Sequence, residues 1–171
     1  MLILAGVVIS AFFTALISLL TYFADPNSTL PTIVFWLMGS FSTITYHTLF
    51  LVTLPVLLGI LLLFLLRFRI NVLSLGDENA AALGVSVEKT RWLVLIATTL
   101  ITAATVAVAG TIGWVGLVVP HIARIIVGPD HQKLLPTAAA FGAIYMIIID
   151  TLARSATSAE IPLGVLTALI G

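Results

Sequence analysis

The chain has no cysteine and very little charge: 171 residues carry seven Lys or Arg and seven Asp or Glu, 8% together. Without thiols there can be no disulfide and no thiolate-held metal, and the redox compartment stays open. The scarcity of charge excludes an ordinary soluble domain, where about a quarter of residues are ionic. A net charge of zero says nothing about partners, because in a membrane chain the sign of charge matters by side. No cleavable leader is expected, since Met1 opens directly on an apolar run without a basic segment, and the sequence shows no tandem repeat, low-complexity tract or glycine loop of the kind that cradles phosphate. What remains is oil. With 61% hydrophobic residues and a mean hydropathy of +1.25, the chain reads as an all-α, polytopic integral membrane protein.

The organising stretch is Arg67–Arg91, the one long polar connection, which holds four of the seven cations and three of the seven acids. Its middle predicts a short helix, with Ser74 as N-cap, Asp77 and Glu78 in the first turn where the helix dipole favours anions, and Gly84 as the stop. A second segment, Ser86–Arg91, opens on a cap-like Ser and runs into the next apolar run. A membrane loop needs few residues to reverse direction, so two helical pieces imply something to touch. Either they lie on the lipid headgroups, or they form a docking surface for a soluble partner. The small residues Ala80, Ala81, Ala82 and Gly84 favour docking.

Around it, spans are expected at Met1–Tyr22, Thr48–Leu66 (with Pro55 inside), Trp92–Ala109, Gly110–Gly128 and Thr137–Ala153, each judged against the roughly 20 helical residues that cross a bilayer. The stretch 24–46 reads as an outer loop: a turn at Asp25-Pro26-Asn27, then a segment capped by Ser28 or Thr29 and ending at Gly39, too short to cross. Ser155–Glu160 reads as a short surface loop and Pro129–Pro136 as a turn. From Ile161 to Gly171 there is helix for only about 16 Å, half a bilayer, which reads as a truncated sixth span.

Several polar residues carry two readings. Gly6, Ser10 and Thr14, with Ala11, Ala15 and Ser18, give the first span a small, weakly polar face; close helix packing explains it first, and lining a path for polar cargo is compatible with that. The threonines of the third span, Thr98, Thr99, Thr102 and Thr105, can bond back to the preceding turn. His121 sits within a span, where ionisable groups are functional by default; a neutral His bonded to a neighbouring helix comes ahead of a ligand or proton relay. Asp150 and Arg154 are spaced for a helical ion pair, acid first. The positive-inside rule places Arg67, Arg69, Lys89, Arg91, Lys133 and Arg124 on or near the cytoplasmic side, leaving Arg154 alone outside as a partner of Asp150 or a handle for an acidic partner.

The runs LGDENAAALGVSVEKTR, GTIGWVGLVVPHIARIIVGPDHQKLLP, DTLARS and EIPLGVLTALIG, with the opening LILAGVVISAFFTALISLL and FWLMGSF, strongly resemble the FecCD-like permease subunits of bacterial ABC importers of iron chelates, haem and cobalamin. The resemblance covers essentially the whole chain and implies the second half of a ten-span type II importer permease, ending at Gly171 where the family continues, as a fragment or a truncated frame would. It implies a single permease domain over 1–171 in the bacterial inner membrane, with 67–91 as the cytoplasmic coupling loop. Gly76, Asp77, Glu78, Ala81 and Gly84, with Ala80 on the same short helix, would dock in a groove of the ATP-binding cassette subunit. Arg154 would meet a Glu of the periplasmic substrate-binding protein. The face of Gly6, Ser10 and Thr14 would line the pathway at the axis shared with a second permease subunit, and Leu30–Met38 would be a short outer helix near the gate. The partners implied are thus the ATPase subunits, the binding protein, a second permease and membrane lipid, with no nucleic acid. No catalytic residue, metal ligand or cofactor is implied, since ATP is hydrolysed elsewhere. The competing readings are an intramembrane metal or enzyme site using His121, His47 and Asp150, which lacks any His-x3-His or His-Glu cluster, and an accessory subunit that lost transport by truncation.

Overall fold

The computed structural model describes residues 2–156 and 160–170. Met1, Gly171 and the middle of the expected 155–160 loop lie outside the described residues. Among the described residues the backbone is helical and has no strand: α1 (Leu2–Phe23), α2 (Thr29–Met38), α3 (Tyr46–Leu73), α4 (Asp77–Ala82), α5 (Val87–Ala109), α6 (Val115–Val127), α7 (His131–Ser155) and α8 (Leu163–Ile170). Four of these, α1, α3, α5 and α7, are long and apolar enough to cross a membrane. The expected fourth span is shorter than its sequence suggests. Gly110–Trp114 is non-helical, so α6 has 13 residues and is about 20 Å long. The chain divides into two compact units, 1–37 and 38–171.

In the first unit, α1 shows why small hydroxyl residues sit easily in an apolar helix. Thr14 Oγ1 donates to the Ser10 carbonyl at 2.8 Å, Ser18 to Thr14 at 2.9 Å and Thr21 to Ile17 at 2.8 Å, so each hydroxyl is satisfied within its own helix. The turn into α2 is held by Asp25, whose Oδ1 accepts from the backbone N–H of Asn27 at 2.9 Å and of Ser28 at 3.1 Å, and from the Ser28 hydroxyl. These bonds, the Asn27 one foremost, hold the Asp25 carboxyl below the usual carboxylate range.

The second unit is built on the antiparallel pair α3 and α5. They approach closely where Gly59 faces Ala97: a Cβ at residue 59 would strike Ile101 Cγ1 and lie 3.0 Å from the Ala97 carbonyl. Small residues at a helix crossing let backbones draw together where lipid offers no hydrophobic drive. Thr45 caps α3 by accepting from the Thr48 N–H at 3.2 Å, so the helix begins two residues before Thr48 and carries His47 in its first turn. At its other end α3 runs on to Leu73, past Arg67 and Arg69, so the polar connection is shorter than its charges suggest. α7 likewise begins at His131, capped by Asp130, so the expected turn 129–136 reduces to Pro129-Asp130.

At the end of this unit remote from α4, three passes of the chain are sutured by main-chain bonds. The Ser40 N–H donates to the Ala109 carbonyl at 2.9 Å and the Leu163 N–H to the Gly39 carbonyl at 2.8 Å. Ile149, Ala153 and Leu163 are buried beside them, with Phe41, Ile112, Tyr145, Met146 and Leu166 packed around. Gly39 has φ +74°, and a Cβ there would meet the Thr111 carbonyl oxygen at 2.6 Å; one at Gly164 would collide with the Met38 carbonyl and lie 3.0 Å from Thr111 O. Those atoms are backbone and cannot swing aside. Trp114, just beyond, is a non-glycine residue at φ +65°, a conformation that costs L-residues about 1–2 kcal/mol. Gly164→Ala should therefore lower thermal stability in detergent by about 1–3 kcal/mol. Gly113→Ala, whose Cβ would meet nothing within 4 Å, should stay within about 0.5 kcal/mol of the parent; equal melting curves for the two variants would refute the suture.

Candidate functional site

The short helix expected within the polar connection exists as α4, and its geometry comes from three local devices. Ser74 does not cap it. Ser74 closes α3, its hydroxyl donating to the Asn71 carbonyl at 2.6 Å, and Gly76 occupies the N-cap position of α4 at φ +98°, which a side-chain cap such as Ser would adopt only with strain. Gly84 ends α4 as expected: at φ +78°, its N–H donates to the Ala81 carbonyl and the following Val85 N–H to the Ala80 carbonyl, both at 3.0 Å. That pair of bonds is the Schellman turn. Ser86 then begins α5, its carbonyl accepting from the buried Thr90 through both N–H at 3.0 Å and Oγ1 at 2.9 Å.

The faces of α4 divide sharply. Ala80 is 0% exposed and is the residue that seats α4 on the ends of α3 and α5. This corrects the expectation that it contributes to an open face, since its methyl is spent on the chain's own packing. Asp77, Glu78, Ala81, Ala82 and Gly84 are exposed. Asp77 is engaged within the chain, Arg91 Nη2 donating to Oδ1 at 2.7 Å and Oδ2 at 3.0 Å, which straps the start of α4 to the first turns of α5. Both partners are more than half exposed, so the strap contributes at most about 1 kcal/mol. Glu78 makes no ion pair among the described residues. The open surface therefore combines Glu78 and the methyls of Ala81 and Ala82 with the exposed Leu75 and Leu83 that flank the short, seated helix.

Beside it lies a polar knot that the sequence did not reveal. Asn71, on the last turn of α3, donates its amide to Asp130 Oδ1, and its carbonyl oxygen accepts from the His131 backbone N–H at 2.7 Å and lies 2.9 Å from His131 Nδ1. Asp130 Oδ1 also accepts the Gln132 N–H at 2.9 Å, capping α7. The Asn71 bond first and the Gln132 bond second hold the Asp130 carboxyl below its ordinary range, so it remains an ionised acceptor at neutral pH. Asp130 before a periodic apolar run was legible as an N-cap; its partner 59 residues earlier was not.

At the other end of α7, Arg154 Nε donates to both oxygens of Asp150 at 3.0 Å, the pair expected from the i, i+4 spacing. Its Nη1 lies 3.6 Å from Glu160, a contact too long for a hydrogen bond. The guanidinium is oriented by Asp150 yet 47% exposed, so its outer edge can receive a further carboxylate. Asp150 and Arg154 also edge a cavity of about 1000 Å³ whose walls are otherwise mostly apolar, among them Phe41, Val56, Ile101, Ala139 and Met146.

Gly6, Ser10 and Thr14 line one exposed face of α1 with Ala11, Ala15 and Ser18. His121 is exposed midway along α6 and His47 lies in the first turn of α3. Among the described residues no three His, Asp or Glu come together as a metal site would require.

The chain is 49% identical over its whole length to the molybdate import system permease protein MolB of Haemophilus influenzae, covering 51% of that protein. It is 43% identical over 99% of its length to the hemin transport system permease protein HmuU of Yersinia pestis, covering 51% of it, and 40% identical to a probable iron chelatin transport system permease of Helicobacter pylori, covering 52%. A solved structure of a putative metal-chelate type ABC transporter in an inward-facing conformation superposes with a TM-score of 0.95 at 49% identity, covering 99% of this chain and 55% of that one. The chain thus spans about half the length of the relatives it matches. The match to the FecCD transport family extends over residues 1–171, and the chain, a multi-pass membrane protein of transport-permease type, belongs to that family.

Proposed function

We propose that the chain forms the α4-bearing half of an ATP-driven importer permease in the bacterial inner membrane, corresponding to the second half of a ten-span subunit. In this arrangement α6 completes the bundle as a short fourth span and α8 as part of a sixth. The observation that carries the proposal is α4 itself, a six-residue helix seated through Ala80 and stopped by Gly84, presenting Glu78, Ala81 and Ala82 to whatever lies beyond. A helix so short has no independent stability in water; its order comes from the long helices beneath it, so a displacement applied to α4 is delivered to α3 and α5.

The work of ATP hydrolysis falls to separate cassette subunits that grip this surface, and the permease performs no covalent chemistry. Coupling requires the motor to contact the inward- and outward-open packings differently. On the far side Arg154 receives a carboxylate of the substrate-binding protein, Asp150 holding the guanidinium in place. A second permease subunit completes the path, with the face of Gly6, Ser10 and Thr14 turned toward it. The cargo class is a metal chelate or a related oxyanion, as the names of the relatives support.

Two outcomes test this. In the complete permease with its ATPase, Glu78→Arg should lower co-purification of the ATPase by about tenfold or more while leaving permease yield unchanged, since a reversed charge against a complementary surface costs several kcal/mol; undiminished co-purification would remove α4 from the interface. Arg154→Glu should weaken docking of the binding protein in nanodiscs, with the loss larger at about 20 mM than at about 500 mM salt because exposed charges are screened over about 10 Å at 0.1 M. Affinity that is identical at both ionic strengths would exclude Arg154 from that contact.

A further inference from the structure

We infer that Asn71 is a positioning residue, a clamp that makes the α4 end of α3 and the start of α7 move as one body. The inference rests on the transporter reading above and adds to it the route by which displacement of α4 reaches the far end of α7.

Asn71 stands shortly before Asp77, the first residue of α4, and both ends of its amide are used on α7: the nitrogen on Asp130 and the oxygen on the His131 N–H at 2.7 Å, with the His131 ring nitrogen 2.9 Å away. Asp130 in turn caps α7 through Gln132. Val72 beside Asn71 and Leu134 one turn into α7 are buried. Apolar side chains alone would leave these helix ends free to slide, because lipid tails solvate them as well as a neighbouring helix does. Directional hydrogen bonds to the first residues of α7 fix its register against α3. From His131 to Asp150, α7 then runs about 30 Å as one helix, ending at the Asp150–Arg154 pair. α4, α3 and α7 are therefore linked in series, by seating at Ala80 and by clamping at Asn71, from the proposed motor surface to the proposed docking cation.

Asn71→Asp sets two carboxylates against each other and breaks the clamp, and Asn71→Ala removes both contacts without adding charge. In a complex whose other cysteines have been replaced, spin labels can be placed at Arg69→Cys and Lys133→Cys, both exposed, and separately at Leu152→Cys in the two permease copies. In the permease–ATPase complex in nanodiscs, the 69–133 distance should be narrow and the same with and without ATP and vanadate, while the 152–152 distance shifts on trapping. Asn71→Asp and Asn71→Ala should each broaden the first distribution about twofold and abolish more than about half of the second shift at unchanged yield, as expected of a directional contact that fixes register. A 152–152 shift that Asn71→Asp leaves intact, or a 69–133 distance that changes on trapping in the parent, overturns the clamp alone. A parent complex that does not respond to vanadate at 152 overturns the transporter reading and the clamp together.

Discussion

In the proposed mechanism, transmission through α4 depends on a single methyl group being buried. Ala80 is the point at which a six-residue helix, unable to persist alone, is pressed onto α3 and α5. A larger side chain there would lift α4 away, and a polar one would bring an unsatisfied group into the contact. Gly76 and Gly84 supply the left-handed backbone that lets the chain enter and leave such a short helix, and the Asp77–Arg91 pair straps it from outside. The result is a stiff protrusion on two long helices. A flexible loop of the same composition would absorb a push instead of passing it on.

The far end of the second unit is stiffened by different means. There the backbone itself is packed: Gly39 and Gly164 bring carbonyl groups of separate passes to within van der Waals contact, and no side chain can be added without displacing main chain. Arg154 stands at this end on α7, held by Asp150 and only loosely approached by Glu160. The two ends differ in kind, one presenting a small apolar face with one acid and the other a cation oriented by an acid. This suits the proposal that two different partners meet the subunit on two sides.

Much of this was legible before any coordinates. Hydropathy placed α1, α3, α5 and α7 because long apolar runs have no other stable form in lipid, and the glycine at 84 marked the end of α4 because only glycine enters the left-handed turn without strain. The 150–154 pair followed from helical spacing. What could not be read were events between segments distant in sequence. Ser74 has the chemistry of an N-cap, yet Gly76 took that place because α3 continued to Leu73 through Arg67 and Arg69, whose charges suggested an earlier end. The burial of Ala80 depends on the α3–α5 crossing, and the Asn71–Asp130–His131 knot joins residues some 60 apart; neither leaves a local signature. The shortness of α6 came from Gly110–Trp114, a non-helical stretch whose Thr111 carbonyl packs closely against Gly39 and Gly164.

The central claim is that α4 faces the cytoplasm and is covered there by a nucleotide-driven partner. The substitution Ala82→Cys, at an exposed position on α4 of this otherwise thiol-free chain, tests it directly with a membrane-impermeant maleimide. The account predicts labelling in inside-out vesicles stripped of the ATPase, strong protection when the ATPase is bound, and none in right-side-out vesicles. Labelling from the outer side, or equal labelling with and without the ATPase, would contradict it.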